Sequence, residues 1–275
     1  MTSIQEEHQS WLDRPILASL SLNAEKIIFI VILVLTVITR LYGLGDRVMS
    51  HDENTHVYYS WRFFKGMGLQ HDPLMHGPLQ FHLIALTYFL FGDTDFTARL
   101  PHALFSIATV GFMWYYRRYL GRVGALLAAA MMFASPYMLY YGRYARNEAL
   151  VAFFGVVSIW AILRYLETGR PIFMYSLTAV TVLHFTSKET SFIYAAQAML
   201  FLGIYVIARI TRLPWNRPAF RERFLVALFL LVSLMTILGG IIFFEKTRLM
   251  SPHQYWEKSR RPLPKCSRWS RQDCR

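Results

Sequence analysis

Residues 45–78 read GDRVMSHDENTHVYYSWRFFKGMGLQHDPLMHGP. This stretch decides how the rest of the chain is interpreted. It concentrates acids, histidines and aromatics, yet Ile27–Leu44 before it and a series of runs after it are apolar enough to dissolve in a bilayer. Charged side chains beside hydrocarbon are costly unless they do chemistry, bind a cation or meet a partner. The loop therefore reads as the rim of an active site at a membrane surface.

The composition agrees. Of 275 residues, 55% are hydrophobic and 17% charged, with a mean hydropathy of +0.30. That profile belongs to an integral membrane protein. A formal net charge of +12 then reflects basic loops facing the cytoplasm and anionic lipid, with no nucleic-acid partner. The first 26 residues are polar and contain Glu6, Glu7, Asp13 and Glu25, so they read as a cytoplasmic tail before a retained anchor and not as a cleavable signal. Residues 245–275 turn basic, lose apolar periodicity and carry Cys266 and Cys274, too few for a disulfide framework. They read as an aberrant or truncated tail after a membrane domain at 27–244.

Spans are expected at Ile27–Leu44, Leu100–Tyr116, Val123–Tyr141, Ala149–Leu166, Ile172–Phe185, Ser191–Ala208 and Phe224–Phe244. Arg40, near the end of the first, is expected to snorkel. Leu79–Phe91 is too short to cross roughly 30 Å of hydrocarbon as a helix and is assigned to the interface or a re-entrant position. With that assignment, Arg117, Arg118 and Arg122, then Arg164 and Arg170, then Arg209, Arg212, Arg217, Arg221 and Arg223 all fall on the side of the N-terminus. The positive-inside rule makes that side cytoplasmic. The expected fold is an all-α membrane bundle of about seven transmembrane helices, with interfacial helices in the first outer loop. Loop 45–78, YYGRYARNE and TSKE would then share the outer face.

Four groups on that face could carry chemistry. His51, Asp52, Glu53, Asn54 and His56 form the first. Its acids suit a general base toward a hydroxyl, sugar contacts or a divalent cation, and equally the N-cap of a helix opened by Ser50 or Asp52. His71, Asp72 and His76, followed by Gly77-Pro78, form the second. The five-residue spacing of His51/His56 and His71/His76 invites a metal, but such residues lie about 140° apart on a helix, which is poor for joint ligation. Tyr140, Tyr141, Arg143, Arg146, Asn147 and Glu148 form the third, suited to gripping a phosphate or cation or to an aromatic belt with an Arg–Glu pair. Thr186-Ser187-Lys188-Glu189 is the fourth: Lys188 could neutralise a lipid phosphate or simply pair with Glu189.

Taken in order, the chain shows an acid pair followed by tyrosines, a GPL turn, FG-x-x-D-F-x-ARLP, RRxxGR, SP-x-x-x-YYxRYAR-x-E and a later lysine. Over residues 27 to about 244 this resembles the GT-C glycosyltransferases, in particular the protein O-mannosyltransferase and aminoarabinose transferase type. The HDENTH and HGPLQFH wording is similar to an archaeal and bacterial flippase-associated branch. The resemblance implies transfer, with inversion, of a sugar from a polyprenyl-phosphate donor to a protein or lipid acceptor outside the cell membrane. By motif it implies Asp52 as base or acceptor-site residue with Glu53 beside it, and Glu148 as the second-loop acid. It also implies Arg143, Arg146 and Lys188 around the donor phosphate, with His51, His56 and His76 as further substrate contacts. A divalent metal on Asp52 and Glu148 stays open. Where relatives carry Lys-Pro-Pro-Leu this chain has His76-Gly77-Pro78-Leu79, and it stops short of the family's further spans and soluble domain. The same groups would also suit a non-catalytic protein that binds polyprenyl-linked sugars or accompanies a flippase. A secondary transporter fits less well, because the charges lie outside the spans and no inverted repeat is visible.

Overall fold

The computed structural model describes residues 23–69, 76–214 and 218–249. His71, Asp72, Arg217, Cys266, Cys274 and most of both expected tails lie outside the described residues. Ten α-helices and no strands occur among them: α1 (Ala24–Leu41), α2 (His51–Phe64), α3 (Leu79–Phe91), α4 (Asp95–Phe112), α5 (Arg117–Ala134), α6 (Pro136–Tyr141), α7 (Glu148–Thr168), α8 (Pro171–Phe185), α9 (Ser191–Arg212) and α10 (Pro218–Leu249). The chain divides into two compact units, residues 1–202 and 203–275. The second holds α10, which runs on through Leu249, past the expected end of the apolar domain at 244.

Among the described residues, three helical segments are long and apolar enough to cross a membrane: Glu148–Thr168, Ser191–Arg212 and Ala219–Ile241. Leu79–Phe91 and Pro171–Phe185 are shorter apolar helices. At 1.5 Å per residue the 13 residues of α3 span about 20 Å, less than the hydrocarbon core. The structure also breaks the expected span Val123–Tyr141. Pro136 cannot donate to the ladder and disfavours a helical Ser135, so α5 stops at Ala134 and α6 restarts with proline in its first turn.

Within the first unit the helices are joined through local backbone chemistry. Pro101 sits inside α4 and deprives the carbonyl of Thr97, four residues earlier, of its helical partner. The Thr87 hydroxyl of α3 donates to that carbonyl at 2.9 Å, turning a helix defect into a tie between helices. The end of α5 is treated similarly. Arg40 does not snorkel; it is fully buried, donating to the carbonyl of Phe133 (3.2 Å) and to Ser106 Oγ (3.1 Å). The carbonyls freed by Pro136 hold a guanidinium that would otherwise seek water. Arg143 does the same for α1, donating to the carbonyls of Thr39 (2.7 Å) and Gly43 (3.0 Å).

Two apolar clusters hold this unit. Phe29, Val110, Met113 and Ala129 join α1, α4 and α5. Ile84, Tyr88, Ala98 and Ala145 join α3, α4 and the segment before α7, with Val57, Trp61 and Phe64 of α2 packed on them. This second cluster fixes α2 against α3 and sets the positions of the polar side chains described next.

Candidate active site

The site begins with α2. The Ser50 N–H donates to Glu53 Oε2 at 3.2 Å, the return half of a capping interaction that starts the helix, while the Ser50 hydroxyl meets the Tyr144 hydroxyl. Asp52 and Glu53 are adjacent, so they diverge around the helix by about 100°. The consequence is large. Asp52 is half-exposed, whereas Glu53 has no exposure at all.

Glu53 faces inward to Arg99 of α4, which grips it with two parallel bonds, Nε to Oε1 at 2.9 Å and Nη2 to Oε2 at 3.0 Å. The Ala145 N–H donates to the same carboxylate at 3.0 Å, and Arg99 Nη1 donates to the carbonyls of Leu44 and Arg47, both at 2.9 Å. Burial pushes the Glu53 carboxyl up, but Arg99 and the backbone donors of Ala145 and Ser50 outweigh it and hold it below the usual carboxylate range. Glu53 thus ties α2, α4, loop 44–47 and the 142–148 segment together.

Asp52 points the other way, into a chain of ion pairs. Arg146 Nη1 reaches Asp52 Oδ2 at 2.9 Å, and Arg146 Nε lies 3.7 Å from Glu148 Oε2. Lys188 Nζ is 2.6 Å from Glu148 Oε1. Glu148 is the first residue of α7, where a carboxylate favours the helix dipole. Side-chain exposure falls along the chain, from 54% at Asp52 through 24% at Arg146 to 13% at Glu148 and 16% at Lys188. Its inner end is therefore the better insulated from solvent.

The segment carrying His76 joins at the Lys188 end. The N–H groups of Gly77 and Leu79 donate to the carbonyls of Ser187 (3.2 Å) and Thr186 (3.0 Å). The approach is close enough that a Cβ on Gly77 would lie 2.1 Å from the Thr186 oxygen. His76 adopts a left-handed φ of 62°, and its Nδ1 lies 2.7 Å from Glu189 Oε2. Non-glycine residues held in this conformation are strained and cluster at functional sites. The His56 ring stacks on His76 at 6.1 Å. Burial, then the charges of His76 and Arg146, push His56 down to about 4, so it is neutral at pH 7.

The structure thus brings together Asp52, His56, His76, Arg146, Glu148 and Lys188 from all four groups. It does not bring in three others. Arg143 lies apart, with its guanidinium on the carbonyls of Thr39 and Gly43 at the end of α1, Glu53 is enclosed, and the His51 side chain is almost fully exposed, 3.7 Å from Asp52 Oδ1. No group of three or more His, Cys, Asp or Glu side chains suited to a metal occurs among the described residues, and Arg146 sits between the two carboxylates that would have to share one.

Arg99, His102 and Gln80 are the neighbours that sequence reasoning passed over as site residues, while Glu189, expected as a partner for Lys188, lies against His76 instead. Arg99 carried a signal, because an arginine at the start of an apolar run needs a buried acid, and Glu53 was in surplus. His102 and Gln80 are fully buried inside apolar helices. Gln80 Oε1, His56 Nδ1, the Asn147 amide and, within the ion-pair chain itself, Arg146 Nε and Glu148 Oε2 are buried without a hydrogen-bond partner.

Residues 75–241 match the family model described as dolichyl-phosphate-mannose-protein mannosyltransferase. The chain belongs to this family. Among solved structures, this mannosyltransferase-family chain is similar to the crystal structure of ArnT from Cupriavidus metallidurans in the apo state, with a TM-score of 0.58 and 18% identity. The match covers 90% of this chain and 46% of that one, so the chain spans less than half the length of ArnT, and at this identity the likeness is one of fold. No curated protein sequence matches it. Its helices at Glu148–Thr168, Ser191–Arg212 and Ala219–Ile241, long and apolar enough to cross a bilayer, suit a membrane protein of that family.

Proposed function

We propose that this protein transfers a sugar from a polyprenyl-phosphate donor to an acceptor hydroxyl on the outer membrane face, by single displacement with inversion. The observation that carries this reading is the row Asp52–Arg146–Glu148–Lys188, hydrogen-bonded at its two ends (2.9 and 2.6 Å) and joined in the middle by a looser 3.7 Å ion pair, which sets an accessible carboxylate beside two cations. An arriving phosphate competes with Glu148 and Asp52 for Lys188 and Arg146, since charge-assisted bonds from these groups to phosphate are strong. As Arg146 turns to the phosphate, Asp52 is released to face the acceptor. The acceptor oxygen then attacks the anomeric carbon opposite the phosphate and gives its proton to Asp52. The bond from that carbon to the phosphate oxygen breaks, and polyprenyl phosphate departs with its negative charge held by Lys188 and Arg146.

In this reading Glu53, with Arg99, is a positioning residue: it holds α2 so that Asp52 projects from the opposite face. His76, fixed by Glu189, adds a further donor-side contact, and no step requires a metal. The seven-span arrangement with a cytoplasmic N-terminus also belongs to the proposal, supported by the placement of the arginine clusters. The test is transfer of labelled sugar from a polyprenyl-phosphate donor in membranes containing the protein. Asp52→Asn should abolish transfer with the protein still inserted, and Lys188→Ala should weaken donor saturation with little change in acceptor dependence. Undiminished turnover in Asp52→Asn would remove the base assignment. Donor binding without any transfer would indicate a non-catalytic binder of lipid-linked sugars.

A further inference from the structure

A separate recess of about 410 Å³ opens beside the buried Glu53–Arg99 pair, and none of Asp52, Arg146, Glu148 or Lys188 lines it. Leu44, Pro136 and Leu139 give it apolar walls; Arg47, Arg143 and Tyr140 give it a cationic, aromatic mouth. The three arginines on its surface differ in charge balance. Arg99 is neutralised by Glu53. Arg143 is bound only to carbonyls, and Arg47 donates to the Tyr140 hydroxyl at 3.3 Å with its guanidinium 5.0 Å from the centre of that ring. Neither is ion-paired to a carboxylate among the described residues; the Asp46 carboxylate lies close by at Gly43 and offsets part of their charge, but both guanidinium groups keep donors for a ligand.

We propose that this recess seats an anionic glycerophospholipid, one whose headgroup keeps a net negative charge, with its phosphate between Arg47 and Arg143 and the first carbons of its tail along Leu139 and Pro136. Three features converge on that class of ligand. Planar guanidinium forks match phosphate oxygens, and stacking on Tyr140 pre-orients one fork before the ligand arrives. The apolar walls exclude a wholly polar anion from the best use of the volume. Tyr42, Val48 and Tyr137 around this end of α1 and α6 are exposed, as expected of residues at the level of lipid headgroups. This site stands apart from the sugar-transfer chain and does not depend on its assignment.

The experiment is native mass spectrometry of the 275-residue chain in detergent, offered phosphatidylglycerol or phosphatidylcholine at equal concentration. The wild-type chain should retain phosphatidylglycerol about tenfold more strongly, the size of one charge-assisted contact. Arg47 is exposed, so Arg47→Ala should fold normally and erase that preference, and Arg47→Lys should restore it only in part because the fork is lost. Lys188→Met should leave it intact. Equal retention of the two lipids, or an Arg47→Ala variant that still discriminates, would overturn the proposal. Displacement of the lipid by inorganic phosphate at equal concentration would overturn it too, by showing that the free anion is the ligand. Sugar transfer, measured separately with labelled donor, would be untouched by any of these failures.

Discussion

Neighbouring acids at positions 52 and 53 should fail in opposite ways when their charge is removed. Glu53→Gln keeps shape and volume, but it deletes the counter-ion of an arginine that is 1% exposed and turns one acceptor of the Arg99 and backbone bonds into a donor. Removing one partner of a buried pair leaves the other uncompensated, at a cost of about 3–5 kcal/mol. Two main-chain donors, Ala145 N–H and Ser50 N–H, also lose a full carboxylate, so the upper half of that range is expected. Asp52→Asn acts on an exposed contact, where ion pairs contribute about 0–1 kcal/mol. The assay is thermal melting in detergent followed by size-exclusion fluorescence, alongside sugar transfer by the fraction still folded. Glu53→Gln should melt far below wild type. Asp52→Asn should melt close to wild type yet be inactive. The double variant Glu53→Gln/Arg99→Met should recover part of the loss, because no buried charge is then left alone. If Glu53→Gln and Arg99→Met each cost under about 1 kcal/mol and simply add, the claim that this pair positions α2 fails.

Three further outcomes follow from the same geometry. Gly77→Ala places a Cβ 2.1 Å from a backbone oxygen that cannot rotate away, so the 76–79 turn should separate from residues 186–187, costing about 1–3 kcal/mol and weakening donor binding. A Gly77→Ala variant with wild-type donor saturation would refute that coupling. His56 is held at about 4 in the folded protein against an ordinary 6.5. The unfolded chain therefore takes up a proton that the folded chain excludes, so stability should fall as pH drops from 6.5 toward 4, by roughly 3 kcal/mol. His56→Gln should remove this group's share of the pH-dependence of melting in that window, and an unchanged slope would count against the burial of a neutral ring. Arg40→Met leaves the α5 terminal carbonyls and Ser106 without their donor and should lower the melting point, whereas a snorkelling side chain would be replaced at little cost.

The sequence by itself determined what depends on period, composition and local backbone chemistry. Apolar runs long enough for a bilayer and the acid-rich start of α2 specify an all-helical membrane chain, but Pro136 lies inside the expected span Val123–Tyr141, and only the structure shows the break there. The family is legible for the same reason, since its motifs sit at helix ends where residue type is constrained. What only the tertiary structure decided is the direction of each charge. Asp52 and Glu53 are indistinguishable as letters, yet the packing of α2 on α3 and α4 turns one outward to Arg146 and seals the other against Arg99. Arg143 and Arg146 share one short motif, and one caps a helix while the other bridges two acids. These assignments are set by which partner lies across a helix interface, often some ninety residues away in sequence. A buried charge costs so much without its counter-ion that the fold must supply one, but only the assembled helices show which.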